Sequence, residues 1–285
     1  MLIQQMQTTS YTLNCKGKLL VLDSPIVMGI LNTTPDSFFD GGKYQTEVDI
    51  LMQVDKMLYD GANIIDIGGY STRPNASFIS EEEELNRVLP IIQTIHQHFP
   101  TAILSIDTFR SKVAEAAIEA GVSIVNDISG GTEDERMFEV VATNNCPFII
   151  MHRQGNLQTM HHEKTYQHLL TDITDYFVQQ INKANHFGIK DVVVDVGFGF
   201  SKTIEQNYAL LKHLSVFKQI GKPMLVGVSR KSMLYKLLDT TAENALNATT
   251  AANMVALQNG AQILRVHDVK EAMECVKIWK AMNDK

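Results

Sequence analysis

Cysteine is scarce in this chain: only Cys15, Cys146 and Cys275, odd in number and far apart among 285 residues. That pattern gives neither a zinc-ligand spacing nor a disulfide framework, and reduced thiols in a cytoplasm are the expectation. Long apolar runs are missing too. No stretch nears membrane-spanning length, and no basic segment followed by an apolar run opens the chain, so a cytoplasmic protein with no membrane partner is expected. Cationic excess is also lacking: 25 Lys and Arg against 32 Asp and Glu leave a formal charge of -7. An acidic balance argues against nucleic acid or an anionic lipid surface as partner, while a local cationic pocket could still hold a small anion. No linker, repeat or low-complexity tract divides the sequence. A dinucleotide fingerprint is absent as well, because Gly197-Phe198-Gly199-Phe200 lacks its third glycine and follows a late strand.

What is present is an alternation of short β-branched runs with helix-like stretches. Strands are predicted at Ile26–Leu31, Ile64–Ile67, Ile103–Ile106, Ser123–Val125, Phe148–Met151, Val192–Val194, Met224–Val228 and Ile263–Val266. Each is a brief continuous apolar run, as expected where both faces of a parallel sheet are covered. Helical periodicity marks Val48–Tyr59, Lys112–Glu119, Tyr166–Phe187 with Gly188 as its stop, and Ala242–Gln258 closed by Gly260. Ser80 with Glu83 forms a capping box, and the acidic run Glu81–Glu84 reads as a solvated first turn favoured by the helix dipole. Tyr11 to Leu22, with Asn14-Cys15-Lys16-Gly17 in the middle, reads as a hairpin ahead of the main fold. Eight βα units in one chain of this length predict a TIM (β/α)8 barrel. Residues 1–24 form the N-terminal segment with the hairpin, and 25–285 a single barrel domain.

In such barrels the active site lies at the carboxyl ends of the strands. Those ends carry Asn32, Asp66, Asp107, Asn126-Asp127, His152-Arg153, Asp195, Ser229-Arg230-Lys231, and Arg265 with His267. Asp66 and Asp127 precede turn-forming residues and read as mainly structural. Met151 reads most simply as core filler. His161-His162 lacks a second ligand pair and is not expected to bind metal. Asp107, Asn126 and Asp195 differ, since three acceptor-bearing side chains converging on one mouth imply a ligand rich in N–H donors. Arg73, Lys231, Arg265 and His267 on an acidic protein suggest a phosphorylated substrate. Ser71-Thr72-Arg73-Pro74 follows Gly68-Gly69 and offers hydroxyls and a guanidinium to cover an anion.

Taken in order, the segments Met28–Gly42, Ile67–Pro74, Asp107, Asn126-Asp127, Met151-His152 through Gly155, Asp195–Lys202, Ser229–Ser232 and Arg265–Asp268 resemble dihydropteroate synthases over nearly the whole barrel. The resemblance implies a homodimeric TIM barrel that joins 6-hydroxymethyl-7,8-dihydropterin diphosphate to p-aminobenzoate, releasing diphosphate and 7,8-dihydropteroate in folate biosynthesis. By the same resemblance Asp107, Asn126, Asp195 and Lys231 hold the pterin, with Met151 among the substrate-contacting positions. Asn32 helps bind Mg2+ beside the diphosphate, and Arg265 and His267 contact its oxygens. Thr72, Arg73 and Pro74, with Phe200 and Ser229, form the aminobenzoate site, and Asp36 and Phe38 help close it. The catalytic set is then Thr72, Arg73, Lys231, Arg265 and His267, and aminobenzoate mimics such as sulfonamides are the expected inhibitors.

A methyl-transferring pterin barrel would share the acceptor clamp but has no use for Ser71–Pro74 or Ser229–Ser232. A Schiff-base lyase would place its lysine on an apolar strand interior, whereas Lys231 follows Arg230 in a loop. This chain departs from the family pattern at Val196, where proline is usual, and at Asn75, where glycine is common. Loss of the proline is expected to loosen Asp195 without removing its carboxylate.

Overall fold

The structure, a computed structural model, describes residues 10–33, 47–70, 78–156, 159 and 165–283. It begins with two antiparallel strands, β1 (Tyr11–Cys15) and β2 (Lys18–Leu22). Lys16 and Gly17 between them both have positive φ, 52° and 90°, which is the primed geometry that lets a two-residue loop follow the strand twist. The hairpin is therefore where the sequence predicts it.

The remaining elements alternate. They are β3 (Ile26–Asn32), α1 (Glu47–Tyr59), β4 (Ile64–Gly68), α2 (Glu81–His98), β5 (Ile103–Asp107), α3 (Ser111–Glu119), β6 (Ile124–Asp127) and α4 (Arg136–Thr143). There follow β7 (Phe148–Met151), α5 (Leu169–His186), β8 (Val192–Asp195), α6 (Ile204–Lys212), a 3-10 turn at Leu214–Ile220 and β9 (Met224–Val226). The chain ends with α7 (Ser232–Leu237), α8 (Leu246–Gln258), β10 (Ile263–Val266) and α9 (Val269–Asn283). Strands β3 to β10 are all parallel and close into an eight-stranded barrel, with β10 pairing both β9 and β3. This is the predicted TIM barrel.

Among the described residues, the two larger apolar cores follow from the side-chain alternation of strands. One set of strand residues, such as Ile65 and Ile67 on β4, packs outward against the helices, which answer with residues one turn apart: Ile50, Val54 and Met57 on α1. The other set points inward. At the amino ends of the strands it is apolar: Ile26, Ile64, Ile124, Val193 and Ile263 meet Leu13, Cys15, Leu20 and Leu22 of the hairpin. The hairpin thus seals the barrel floor, opposite the end where the site forms.

Three local expectations need correction. Ser80 caps α2 by accepting the Glu83 N–H at 3.1 Å, but the Glu83 carboxylate turns to Arg87 at 2.5 Å rather than back to the cap. Glu84 is not part of a solvated turn. It sits on the helix face shared with Val88 and Ile92, is fully buried, and accepts from Thr108 at 2.7 Å and from Arg110. Helix α5 starts at Leu169, because Asp172 reaches back to the Gln167 and His168 N–H groups and caps the chain there.

Candidate active site

The inward phase turns polar at the carboxyl ends. Asp107, Asn126, Met151, Asp195 and Arg265 each end a strand, or come one residue short of its end, on the inward phase, and Gly227 follows β9 by one residue. Together with Ile128, Phe200 and Lys231 from the loops, they line a cavity of about 70 Å³ inside the mouth. A larger groove of about 230 Å³ beside Asn14, Cys146 and Asp191 lies at the hairpin end and receives no inward strand residue.

Arg265 organises the charges. Its Nε donates to Asp66 at 2.6 Å and its Nη2 to Asp107 at 2.6 Å. Asp66 also accepts from Asn126 Nδ2 at 3.1 Å. Burial pushes the Asp107 carboxyl above its ordinary range, Arg265 opposes this, and Asp66 reinforces it. Burial opposes the charge of Arg265 as well, but Asp66 and Asp107 outweigh it and hold the guanidinium firmly protonated. Burial likewise raises the Asp195 carboxyl, against Lys231 and the Gly197 N–H, which donates to Asp195 at 2.8 Å.

The other cations come from the β8 and β9 loops. Lys231 donates to the Phe198 carbonyl and lies 4.8 Å from the Phe200 ring centre. Burial pushes its ammonium down to about 8, with Asp195 opposing. Between Ser229 and Lys231, Arg230 takes a positive φ of 54°. It points away from the mouth and grips Asp268 with two N–H groups, each at 2.9 Å, tying the β9 and β10 loops together. At the rim Ser229 Oγ meets His267 Nδ1 at 2.9 Å. Gly197 allows the β8 loop its course: at φ 69° a Cβ there would lie 2.0 Å from the His152 carbonyl oxygen.

The predicted residues are partly brought together. Asp107, Asn126, Asp195, Met151, Phe200, Lys231 and Arg265 share one cavity, with Ser229 and His267 paired beside it. Met151 is packed with Phe200, Phe109 and Ile128 and also faces the cavity, so it is more than core filler. Val196 sits in the outer core, and the Gly197 N–H donates to the Asp195 carboxylate beside it.

His152 and Arg153 do not join the mouth. His152 follows β7 on the outward phase, and Arg153 lies in the loop beyond it. His152 is buried against Tyr166 and Tyr176 and pairs with Lys202 at 3.2 Å; burial, helped by Lys202, drives its imidazole down to about 2. Arg153 pairs with Glu133 at 2.5 Å. Asp127 also faces outward and accepts the Ser129 and Gly131 N–H groups at 2.6 and 2.8 Å, the structural turn expected of it. Asp66 is different: it lies within β4 rather than after it, and its inward phase makes it part of the site's charge network. Thr72, Arg73 and Pro74, with Asp36, Phe38, Ser71, Asn75, His161 and His162, lie outside the described residues.

For a metal, the oxygen donors at hand are Asn32 and Asp107, which flank Gly68. A Cβ on that glycine would come within 3.7 Å of Asn32 Oδ1 and 3.9 Å of Asp107 Oδ2, so its absence keeps the space between them open. No group of three or more His, Cys, Asp or Glu side chains suited to a metal occurs among the described residues. Hard oxygens in small number suit Mg2+, which takes few protein ligands and completes its shell with phosphate and water.

Comparison with known proteins agrees with this geometry. A family model described as pterin binding enzyme matches residues 28–267. A dihydropteroate synthase of Synechocystis sp. is 44% identical over 259 residues, covering 90% of this chain and 89% of that protein. The structure of Yersinia pestis dihydropteroate synthase with a sulfonamide drug superposes with a TM-score of 0.91 at 41% identity, covering 96% of this chain and all 100% of that one. The enzyme of Xanthomonas albilineans in complex with 7,8-dihydropteroate gives 0.87 at 33% identity, again covering 96% and 100% of the two chains. An inward ring of acceptors and cations at one barrel mouth, on a sequence this close to those enzymes, establishes that the chain belongs to the dihydropteroate synthase family.

Proposed function

We propose that this site condenses 6-hydroxymethyl-7,8-dihydropterin diphosphate with p-aminobenzoate to give 7,8-dihydropteroate and diphosphate. The convergence of Asp107, Asn126 and Asp195 with Lys231 and Arg265 in one cavity carries the reading. The amino-pyrimidinone edge of a pterin offers N–H donors, which the carboxylates and the amide oxygen accept in a dry setting where such bonds are strong. Lys231 supplies a donor to the ring's acceptor side. Phe200 offers a flat apolar wall beside it.

Departure of diphosphate leaves a cation delocalised into the electron-rich dihydropterin, so the site's tasks are to stabilise the leaving group, position the amine and exclude water. Arg265 uses one N–H on Asp66 and one on Asp107, and the rest of its five N–H groups suit diphosphate oxygens, as does His267. Mg2+ held at Asn32 would neutralise charge on the leaving diphosphate. Thr72, Arg73 and Pro74, with Phe200 and Ser229, would seat the aminobenzoate, and Asp36 and Phe38 would help close the mouth. An arylamine is a free nucleophile at neutral pH, so the neutral, outward-facing His152 is not needed as a base. Sulfonamides would compete for the aminobenzoate seat.

The proposal includes a cytoplasmic homodimer. The three cysteines are free and buried, in keeping with a reducing compartment, and no helix of the described residues is long and apolar enough to cross a membrane. Leu237, Leu238, Val255 and Ile278 on the last three helices and their connections are exposed apolar groups suited to a subunit contact. The test of the activity is a direct one. Purified protein, pterin diphosphate, labelled aminobenzoate and magnesium should yield labelled dihydropteroate, and no product under saturating substrates would refute the reading.

A further inference from the structure

Asp66 has no assigned part in the reaction proposed above, yet it touches two groups that do. It is the middle residue of β4, fully buried, and does not line the cavity. The next inward residue toward the mouth on its own strand is Gly68. Across the barrel, Asp66 Oδ2 accepts at once from Asn126 Nδ2, at 3.1 Å, and from Arg265 Nε, at 2.6 Å.

Each contact constrains chemistry. A carboxylate accepts and does not donate, so the amide end of Asn126 that faces Asp66 must be the NH2 group. The end left to the cavity is then the carbonyl oxygen, an acceptor. The second constraint concerns Asp107. The Nε and Nη2 edge of a guanidinium is the fork that usually closes on both oxygens of one carboxylate. Here that fork is split, Nε to Asp66 and Nη2 to Asp107 Oδ2. Asp107 Oδ1 consequently accepts no hydrogen bond from a described residue and stays available to a ligand.

We propose that Asp66 is a positioning residue that sets the pocket's preference for a donor-bearing ring edge, by fixing the Asn126 amide and by holding Arg265 off the second oxygen of Asp107. The inference rests on the pterin-binding reading. Without the Asp66 charge, the Asn126 amide can turn over and offer its NH2 group, and the Arg265 fork can close on Asp107. Both changes remove acceptors from the cavity and leave donors in their place.

Selectivity, rather than affinity alone, is the readout that a merely structural residue would not alter. Two probes suffice: 6-hydroxymethylpterin, and 6-hydroxymethyllumazine, in which an oxo acceptor replaces the 2-amino donor. Their dissociation constants are measured by calorimetry on the wild-type protein, on Asp66→Asn, which keeps the volume, and on Asp66→Ser, which keeps a small acceptor. Wild type should favour the pterin, and the ratio of the two constants should fall roughly tenfold in the variants, the range set by losing an oriented hydrogen bond to a buried polar group. Should Asp66→Asn not fold, Asp66→Ser carries the same comparison. An unchanged ratio, or equal loss of both ligands, overturns the role of Asp66 while leaving the pterin site standing. Failure of the wild-type protein to bind the pterin overturns both.

Discussion

Replacing Arg265 by methionine removes a guanidinium bonded to two acids inside the barrel. Asp66 is fully buried and the Asp107 side chain only 14% exposed. Breaking a buried ion pair from one side costs about 3–5 kcal/mol, because the surviving charge is left without a partner. Asp107 retains some contact with water, which places the expected loss near the lower end, about 3 kcal/mol at pH 8. With a urea dependence of about 3 kcal/mol/M for a chain of this size, the unfolding midpoint should fall by about 1 M. The sign of the pH effect follows from Asp107, whose folded carboxyl is already raised by burial even with Arg265 in place. Removing the main influence that lowers it raises it further. A carboxyl with a folded pKa above its unfolded one costs stability at high pH, and the cost vanishes as falling pH protonates the folded form. The deficit of the variant should therefore shrink by about half between pH 8 and pH 5.5, as one of the two carboxyls becomes neutral. Urea titrations of both proteins at the two pH values decide the matter. An equal deficit at both, or none, would refute the ion-pair account.

Asp195→Ala should weaken 6-hydroxymethylpterin binding by about 1.5–3 kcal/mol, the cost of a charge-assisted hydrogen bond; calorimetry giving an unchanged constant would remove Asp195 from the clamp. Lys231, pushed down to about 8 by burial, loses its charge above that pH, so kcat/KM for the pterin diphosphate should decline on an alkaline limb near 8. Lys231→Arg should move that limb upward, and a wild-type profile flat to beyond pH 9 would contradict the assignment. Excess chelator should abolish condensation and added magnesium restore it, whereas full turnover in chelator would take Asn32 out of the mechanism.

The fold was legible because each strand is a short β-branched run bounded by turn residues, and eight such runs with helices between them have few other ways to bury both faces. Asp107, Asn126 and Asp195 were legible because they stand at or beside strand ends, where polarity is unexpected in a buried run. What strand position alone could not separate was inward from outward. Asn126 and Asp127 are adjacent, yet one lines the cavity and the other binds Ser129 and Gly131 behind the barrel wall. The signal exists in the period of two: Ile124 points in with the floor residues, so Asn126 points in and Asp127 out. The same phase would have placed Asp66 inside, counted from Ile64, and moved His152 outside, counted from Ile149. Glu84 was hidden for a different reason, since its partners Thr108 and Arg110 are distant in sequence and only the folded helix brings them together.

The central claim is that one flat heterocycle sits in the cavity framed by Asp107, Asn126, Asp195 and Lys231. A crystal structure of the complex with 6-hydroxymethylpterin tests it most directly. The account predicts ring N–H groups about 2.7–3.1 Å from the oxygens of those acceptors, with Lys231 at the ring's acceptor side. A ring seated elsewhere, or one meeting these side chains only through its hydroxymethyl group, would contradict it.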